Sequence, residues 1–306
     1  MSEYLILEPE FAHLTNGNQR LLKLWTGSAW AEGPVFFRDG NFLLFSDIPN
    51  DRIMRFVPDF TGLQGTVSVF RQPCGNTNGH TRDREGRLIS CEHGGRRVSR
   101  TEHDGRVITL CDQFNGKRLN SPNDVVVKSD GTVWFTDPSY GILSDLEGWK
   151  GEPEYGGCHV FCFDPRSCKL SAVATDFVKP NGIAFSPDEK LLYVADTGAS
   201  HDPDGPRHIR VFEVTEKNTL KKGKVFAECD SGLFDGFRVD TDGRVWSSAG
   251  DGVHCFDRGG TLLGKILVPE VVANVAFGGV KKNRLYICGT TSLYAVHVCV
   301  TGALVP

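Results

Sequence analysis

Glu32, Asn78, Asn123, Asn181, Asp235 and Asn274 each open a similar stretch of this 306-residue sequence. An apolar run follows, then a short turn, then a second apolar run, as in "NDVVVKSDGTVWFTD" from Asn123. Amides and carboxylates are poor strand formers, so their return at one place in a repeat asks for a reason. Turn chemistry is one, since Asn-Gly and Asp-Gly pairs favour turns, but it would admit Gly or Ser as readily. Cation chemistry is the other. Ca²⁺ takes about 6–8 oxygen donors from carboxylates, amide carbonyls and water. Two carboxylates neutralise a divalent ion, and four amides add neutral oxygen. No Cys or His stands at any of the six positions, which disfavours zinc as the preferred ion.

The elements that must bring these residues together follow from the repeat. The stretches begin 46, 45, 58, 54 and 39 positions apart. Four of the six turn on an Asp-Gly or Glu-Gly pair, the chemistry of hairpin loops. At least one further strand-like run follows each hairpin, as in "RIMRFV" and "HIRVFEV". Short β-branched and aromatic runs at this period predict an all-β, six-bladed propeller. No stretch keeps a helical period. Residues 1–306 are expected to form one propeller domain. Its last blade is short of a strand, and the N-terminal "RLLKLWTG" (Arg20 to Gly27) is expected to complete it and close the ring. The innermost strands of a propeller line its channel, so the six polar residues meet at one rim. Long insertions after the third and fourth hairpins, 138–157 and 197–208, fall on the same face and place Tyr140, Trp149, Tyr155 and His201 to wall a pocket. His80, two residues after Asn78, shares the channel-facing side by strand alternation. It is a candidate base or a hydrogen-bonded part of the channel.

Composition excludes several classes. Net charge is -4 with no basic stripe, so no nucleic-acid partner is expected. No apolar run approaches the ~18 residues of a membrane span. No basic segment followed by an apolar one opens the chain, so a cytoplasmic location is expected. The ten cysteines then read as buried thiols in a reducing compartment. Cys158, Cys162 and Cys168 cluster without a Cys-x-x-Cys pair, which is not zinc spacing. Gly-x-Ser-x-Gly is absent, so no serine-hydrolase triad is indicated. Oligomeric state is not readable from the sequence.

The pieces "AEGP" (31–34), "NSPNDVVVKSDGTVWFTDPSYG" (120–141), "KPNGIAFSPD" (179–188) and "DGFRVDTDG" (235–243) resemble the gluconolactonase and regucalcin (senescence marker protein) family. "CEHGGRRVSR" (91–100) and "TTSLYA" (290–295) are similar to its bacterial gluconolactonase branch. The resemblance implies one divalent metal at the channel mouth, held by Glu32, Asn123, Asn181 and Asp235. Asn78 and Asn274 are then supporting or substrate-facing, with His80 and Tyr140 beside them. Ca²⁺ is the first expectation; Mg²⁺, Mn²⁺, Fe²⁺ and Zn²⁺ are also admitted. Animal members carry an Arg two residues before the Asn-Asp pair, where this chain has Ser121. Their sugar contacts therefore do not transfer, and Lys117 or Arg118 is the nearest substitute in sequence.

The resemblance also implies a metal-dependent hydrolase that opens a sugar lactone such as glucono-1,5-lactone to the aldonic acid. The metal polarises the carbonyl, Asp235 serves as general base or as nucleophile, and Asn123 orients substrate or water. The alternatives are another aldonolactonase such as a xylonolactonase, a phosphotriesterase-like hydrolase on the same scaffold, and a non-catalytic calcium-binding regulator. A protein-interaction propeller of the WD40 type lacks support, because the Gly-His and Trp-Asp signature is missing.

Overall fold

Each hairpin of the repeat becomes the inner half of a four-stranded antiparallel blade. The computed structural model describes residues 3–15, 17, 19–221 and 223–303; the two ends of the expected 1–306 domain lie outside them. Blade one runs Ala31–Phe37, Phe42–Asp47, Arg52–Pro58, Gly65–Arg71, and blade two Thr77–Arg82, Leu88–Glu92, Arg97–Thr101, Val107–Cys111. Blade three is Val125–Val127, Val133–Asp137, Cys158–Asp164, Lys169–Phe177, and blade four Pro180–Phe185, Leu191–Asp196, His208–Glu213, Lys224–Glu228. Blade five is Phe237–Val239, Val245–Ala249, Gly252–Phe256, Leu262–Leu267. Blade six is Val272–Gly278, Arg284–Gly289, Ser292–His297, and its outer strand is the N-terminal Leu22–Thr26. The expected closing strand is thus in place, paired antiparallel with Ser292–His297.

The inner hairpins of blades two, three and five turn on Gly86, Gly131 and Gly243, each at positive φ, a conformation glycine adopts without steric cost. The hairpins of blades four and six lack that glycine and hold Glu189 and Lys282 at φ 56 and 50 instead.

The apolar core is divided into six wedges, one at each junction between neighbouring blades. Val35, Leu44 and Ile53 of blade one meet Leu88 of blade two. Phe45 and Phe56 of blade one meet Tyr286 and Leu293 of blade six, with Leu24 and Trp25 of the closing strand packed alongside. The other four junctions repeat the arrangement. All ten cysteines are free thiols, most of them buried as expected, but Cys168 and Cys299 are exposed. No helix of the described residues is long and apolar enough to cross a membrane.

Two features at the N-terminus were not legible in the repeat. Tyr4–Ile6 adds a fifth strand to blade five, and Pro9–Leu14 forms a short helix after it. Phe11 of that helix is wholly buried and lies over Trp246, 6.1 Å between ring centres. Its ring occupies the space a side chain at Gly264 would need, since a Cβ there would fall 2.2 Å from it. Phe11→Ala is expected to lower stability by about 3–5 kcal/mol, the usual cost of deleting a buried aromatic. A urea midpoint unchanged from wild type would show that the N-terminal segment is not part of the folding core.

Candidate active site

The six polar residues do meet at one end of the channel, and the glycine after four of them explains how. A Cβ on Gly33 would lie 1.9 Å from the Asn78 carbonyl oxygen, and one on Gly182 would lie 2.0 Å from that of Asp235. At Gly79 it would meet the Asn123 carbonyl oxygen at 2.5 Å, and at Gly236 the Asn274 amide at 1.9 Å. Four inner strands thus enter with their backbones against the first residue of the next blade. The Gly79 N–H donates to the Asn123 carbonyl at 2.7 Å, and the Gly236 N–H to the Ala273 carbonyl at 2.7 Å. The Asn-Gly and Asp-Gly pairs are therefore the contact points of the ring; they do not turn the chain.

The acidic residue that ends the second strand sets the height of three of these residues. Asp47 Oδ1 accepts from the N–H groups of Ala29 and Trp30 at 2.9 and 3.3 Å. Asp137 accepts from those of Asn120 and Ser121, both at 2.8 Å. Asp196 accepts from those of Val178 and Lys179 at 3.0 and 2.8 Å. In each case the gripped segment ends two residues before Glu32, Asn123 or Asn181. Blade five has Ala249 at this place; there the Asp235 N–H donates to Ser248 Oγ at 2.9 Å instead.

Two carboxylates lie buried in this ring, Glu32 and Asp235. Burial, followed by the neighbouring charges of Glu32, Asp124 and Glu147, pushes the Asp235 carboxyl far above its ordinary range, against one hydrogen bond from Asn181. Glu32 is raised mainly by burial and also by Asp124, while the Asn274 amide and the Gly33 N–H donate to it. Two desolvated carboxylates of like charge are costly unless a cation lies between them. Asn78 Oδ1 is buried without a hydrogen-bond partner. An all-oxygen donor set of two carboxylates and neighbouring amides suits a hard divalent cation, so the residues present fit the expected metal.

A family model described as the SMP-30/Gluconolactonase/LRE-like region matches residues 30–291. The chain belongs to that family. It is 31% identical over 292 residues to a gluconolactonase of Zymomonas mobilis, covering 88% of this chain and 78% of the relative. It is 29% identical to a pentonolactonase of Haloferax volcanii, covering 86% and 82%. Among solved structures, a gluconolactonase of Xanthomonas campestris superposes with a TM-score of 0.89 at 36% identity, over 96% of this chain and 94% of that one.

Within this family member, the other expected residues fall in different places. Asn274 Nδ2 donates to Glu32 Oε2 at 3.0 Å and so supports that carboxylate. Asn78 Nδ2 lies 3.2 Å from His93 Nε2. His80 lies below the rim with both ring nitrogens engaged, each 2.9 Å from a serine hydroxyl, Ser46 and Ser90. That is the hydrogen-bonded role, and it leaves neither nitrogen free as a base. Tyr140 reaches the rim: its hydroxyl bonds Thr197 Oγ1 at 2.6 Å, and its ring lies 5.6 Å from that of His201. Tyr155 does not wall the pocket. It packs on Phe114 and Phe161 and donates to Asp137 Oδ2 at 2.7 Å, because that carboxylate needs a donor on its outer side. Trp149 stands exposed in its loop. Ser121 ties the insertion of blade three to the ring, donating to the Pro138 carbonyl and accepting from the Gly141 N–H. Lys117 and Arg118 lie exposed on a two-stranded ribbon.

Three residues at the site escaped the repeat: His93, Glu147 and Lys179. Glu147 approaches His93 to 3.8 Å, and burial raises its carboxyl. Lys179 Nζ lies 5.1 Å from the Tyr140 ring centre and bonds Ser139. His93, next to Glu92 in "CEHGG", could have been flagged from its place just past a second strand, and Lys179 from its place two residues before Asn181; Glu147 lies in an insertion, which carries no repeat register.

Burial holds His80 and His93 neutral, their pKa values pushed down to about 3 and about 4 from 6.5. The unfolded chain therefore binds more protons than the folded one in this window. The contribution of these two histidines is expected to be full above pH ~6.5 and to fall away as the pH drops toward ~3. His80→Gln should flatten that fall in urea midpoints measured against pH; an equally steep fall would show that His80 is not a source of it.

Proposed function

We propose that this protein is a metal-dependent lactonase that opens a sugar lactone to its hydroxy acid. The supporting observation is the pair of buried carboxylates, Glu32 and Asp235, set among amides at the rim of a propeller whose relatives bear lactonase names. Glu32, Asn123, Asn181 and Asp235 would hold the cation, Ca²⁺ by donor type, which when bound supplies positive charge to the lactone carbonyl oxygen. Asp235 takes the proton of the attacking water as its oxygen adds to the carbonyl carbon. The ring C–O bond then breaks, and the proton passes to the departing alkoxide. Asn123 orients water or substrate, and Asn78 offers its unpartnered amide oxygen to a substrate hydroxyl. Lys179, beside Tyr140, is the cation of this face and takes the part that Ser121 cannot.

Acid release from glucono-1,5-lactone by chelated protein, with and without added Ca²⁺, tests this reading. Turnover well above the spontaneous rate is expected only with metal, and Asp235→Ala should lose about 10²–10⁴-fold in kcat together with metal affinity. Wild-type turnover by that variant sinks the mechanism. Metal binding with no turnover of gluconolactone, pentonolactones or phosphotriesters would favour a calcium-binding role. Lys179→Met is expected to raise KM about tenfold with kcat little changed, the cost of one charged hydrogen bond; an unchanged KM removes Lys179 from the substrate pocket.

A further inference from the structure

His93 and Asn78 form one hydrogen-bonded pair with an unpartnered atom at each end. His93 Nε2 lies 3.2 Å from Asn78 Nδ2, and both side chains are buried. Asn78 Oδ1 and His93 Nδ1 have no hydrogen-bond partner. Asn78 belongs to the inner strand of blade two, and its carbonyl lies against Gly33, the residue after Glu32. His93 stands just past the second strand of the same blade, Leu88–Glu92.

The insertion of blade three covers His93. Gly141 sits so close that a Cβ there would fall 2.5 Å from His93 Cβ. Glu147 follows in the same insertion, and its Oε2 approaches His93 Nδ1 to 3.8 Å. Burial keeps the imidazole neutral, against a weaker main-chain contact from Glu147. A neutral imidazole has one N–H and one acceptor nitrogen, and its surroundings decide which is which. Nδ1 faces the oxygens of Glu147, so it carries the proton. Nε2 is then the acceptor, and only the NH₂ of Asn78 satisfies it. The amide oxygen is turned away from His93.

Two other amides of the ring are set the opposite way. Asn274 Nδ2 donates to Glu32 Oε2 at 3.0 Å, while its oxygen accepts from the Val275 N–H at 2.8 Å. Asn181 donates to Asp235. An amide free to turn beside these carboxylates would also point its NH₂ at them, since a carboxylate only accepts. Asn78 does not, because its NH₂ is held by His93.

We propose that His93 is a positioning residue: it holds Asn78 by its NH₂ and so presents the amide oxygen as the acceptor for a hydroxyl of the lactone, with Glu147 fixing the tautomer that does this. The role of that hydroxyl rests on the lactonase reading; the tautomer and the orientation of Asn78 do not.

Magnetic resonance of the full chain carrying isotopically labelled histidine, near pH ~7, reads the tautomer, and His93→Gln assigns the His93 signal by its loss. A neutral ring protonated on Nδ1 is expected. A ring protonated on Nε2, or on both nitrogens, overturns the proposal whether or not the protein turns over any lactone. Kinetics test the consequence. Gln keeps an acceptor oxygen near the place of Nε2, and Phe has none. With glucono-1,5-lactone and added Ca²⁺, His93→Phe is expected to raise KM about tenfold with kcat changed by less than about twofold, the cost of one buried hydrogen bond. His93→Gln should stay near wild type, and Asn78→Ala should match His93→Phe. In the Asn78→Ala background His93→Phe should add nothing, because it acts through the residue already removed. A cooperative melt checks each variant; should His93→Phe not fold, the contrast between His93→Gln and Asn78→Ala decides. An unchanged KM in Asn78→Ala, a KM in His93→Phe equal to wild type, or additive effects of the two substitutions each overturns the proposal. Absence of turnover by the wild type would instead remove the lactonase reading, and the tautomer would still decide the positioning of Asn78.

Discussion

Close approach of backbones around the channel is the constraint on which the site depends. At Gly33 and Gly182, the position of a Cβ is taken up by the carbonyl oxygen of the next blade's first residue. Only a residue without a side chain lets two inner strands enter the ring at that spacing. Where a glycine is missing, at Asp124, its side chain is used instead: it accepts from the Val125 N–H and pairs with Arg238 across the channel. Four of the six first residues are crowded because their neighbours are glycines.

Crowding has an electrostatic consequence. Glu32 and Asp235 lose solvent, the charge of Glu32 acts on Asp235, and Asp124 and Glu147 add further negative charge. A protein gains nothing in stability from such a pair when it is left unneutralised. The arrangement persists because other parts of the blades hold it. Asp47, Asp137 and Asp196 tie down the segments leading to Glu32, Asn123 and Asn181, and Ser248 does the same for Asp235 itself. Carboxylates accepting paired backbone N–H groups are rigid supports, so the side chains of the ring are held in fixed positions.

The two ends of the channel differ in charge for a structural reason. Inner strands begin at the carboxylate ring and finish in hairpin turns at the other mouth. Glu32 and Asp235 stand at strand starts, while Arg38, Arg84 and Lys282 sit at strand ends or turns, among Asp39, Asp188 and Glu189. The plug of His80, Ser46 and Ser90 separates the two regions.

The repeat in the sequence determined the number of blades, the strand order within each, the closing role of the N-terminal strand and the rim on which six polar residues meet. Those features follow from local pattern, because alternation and turn chemistry act within a single hairpin. It could not determine what the insertions contribute: Glu147 reaches the rim while Tyr155 turns outward to Asp137, since loops outside the repeat are placed by packing against distant residues. Nor could it show Tyr4–Ile6 adding to blade five, or His80 being consumed by two serines from neighbouring strands. Tertiary structure alone decided these, because each depends on which buried polar group is left needing a partner once the ring has closed.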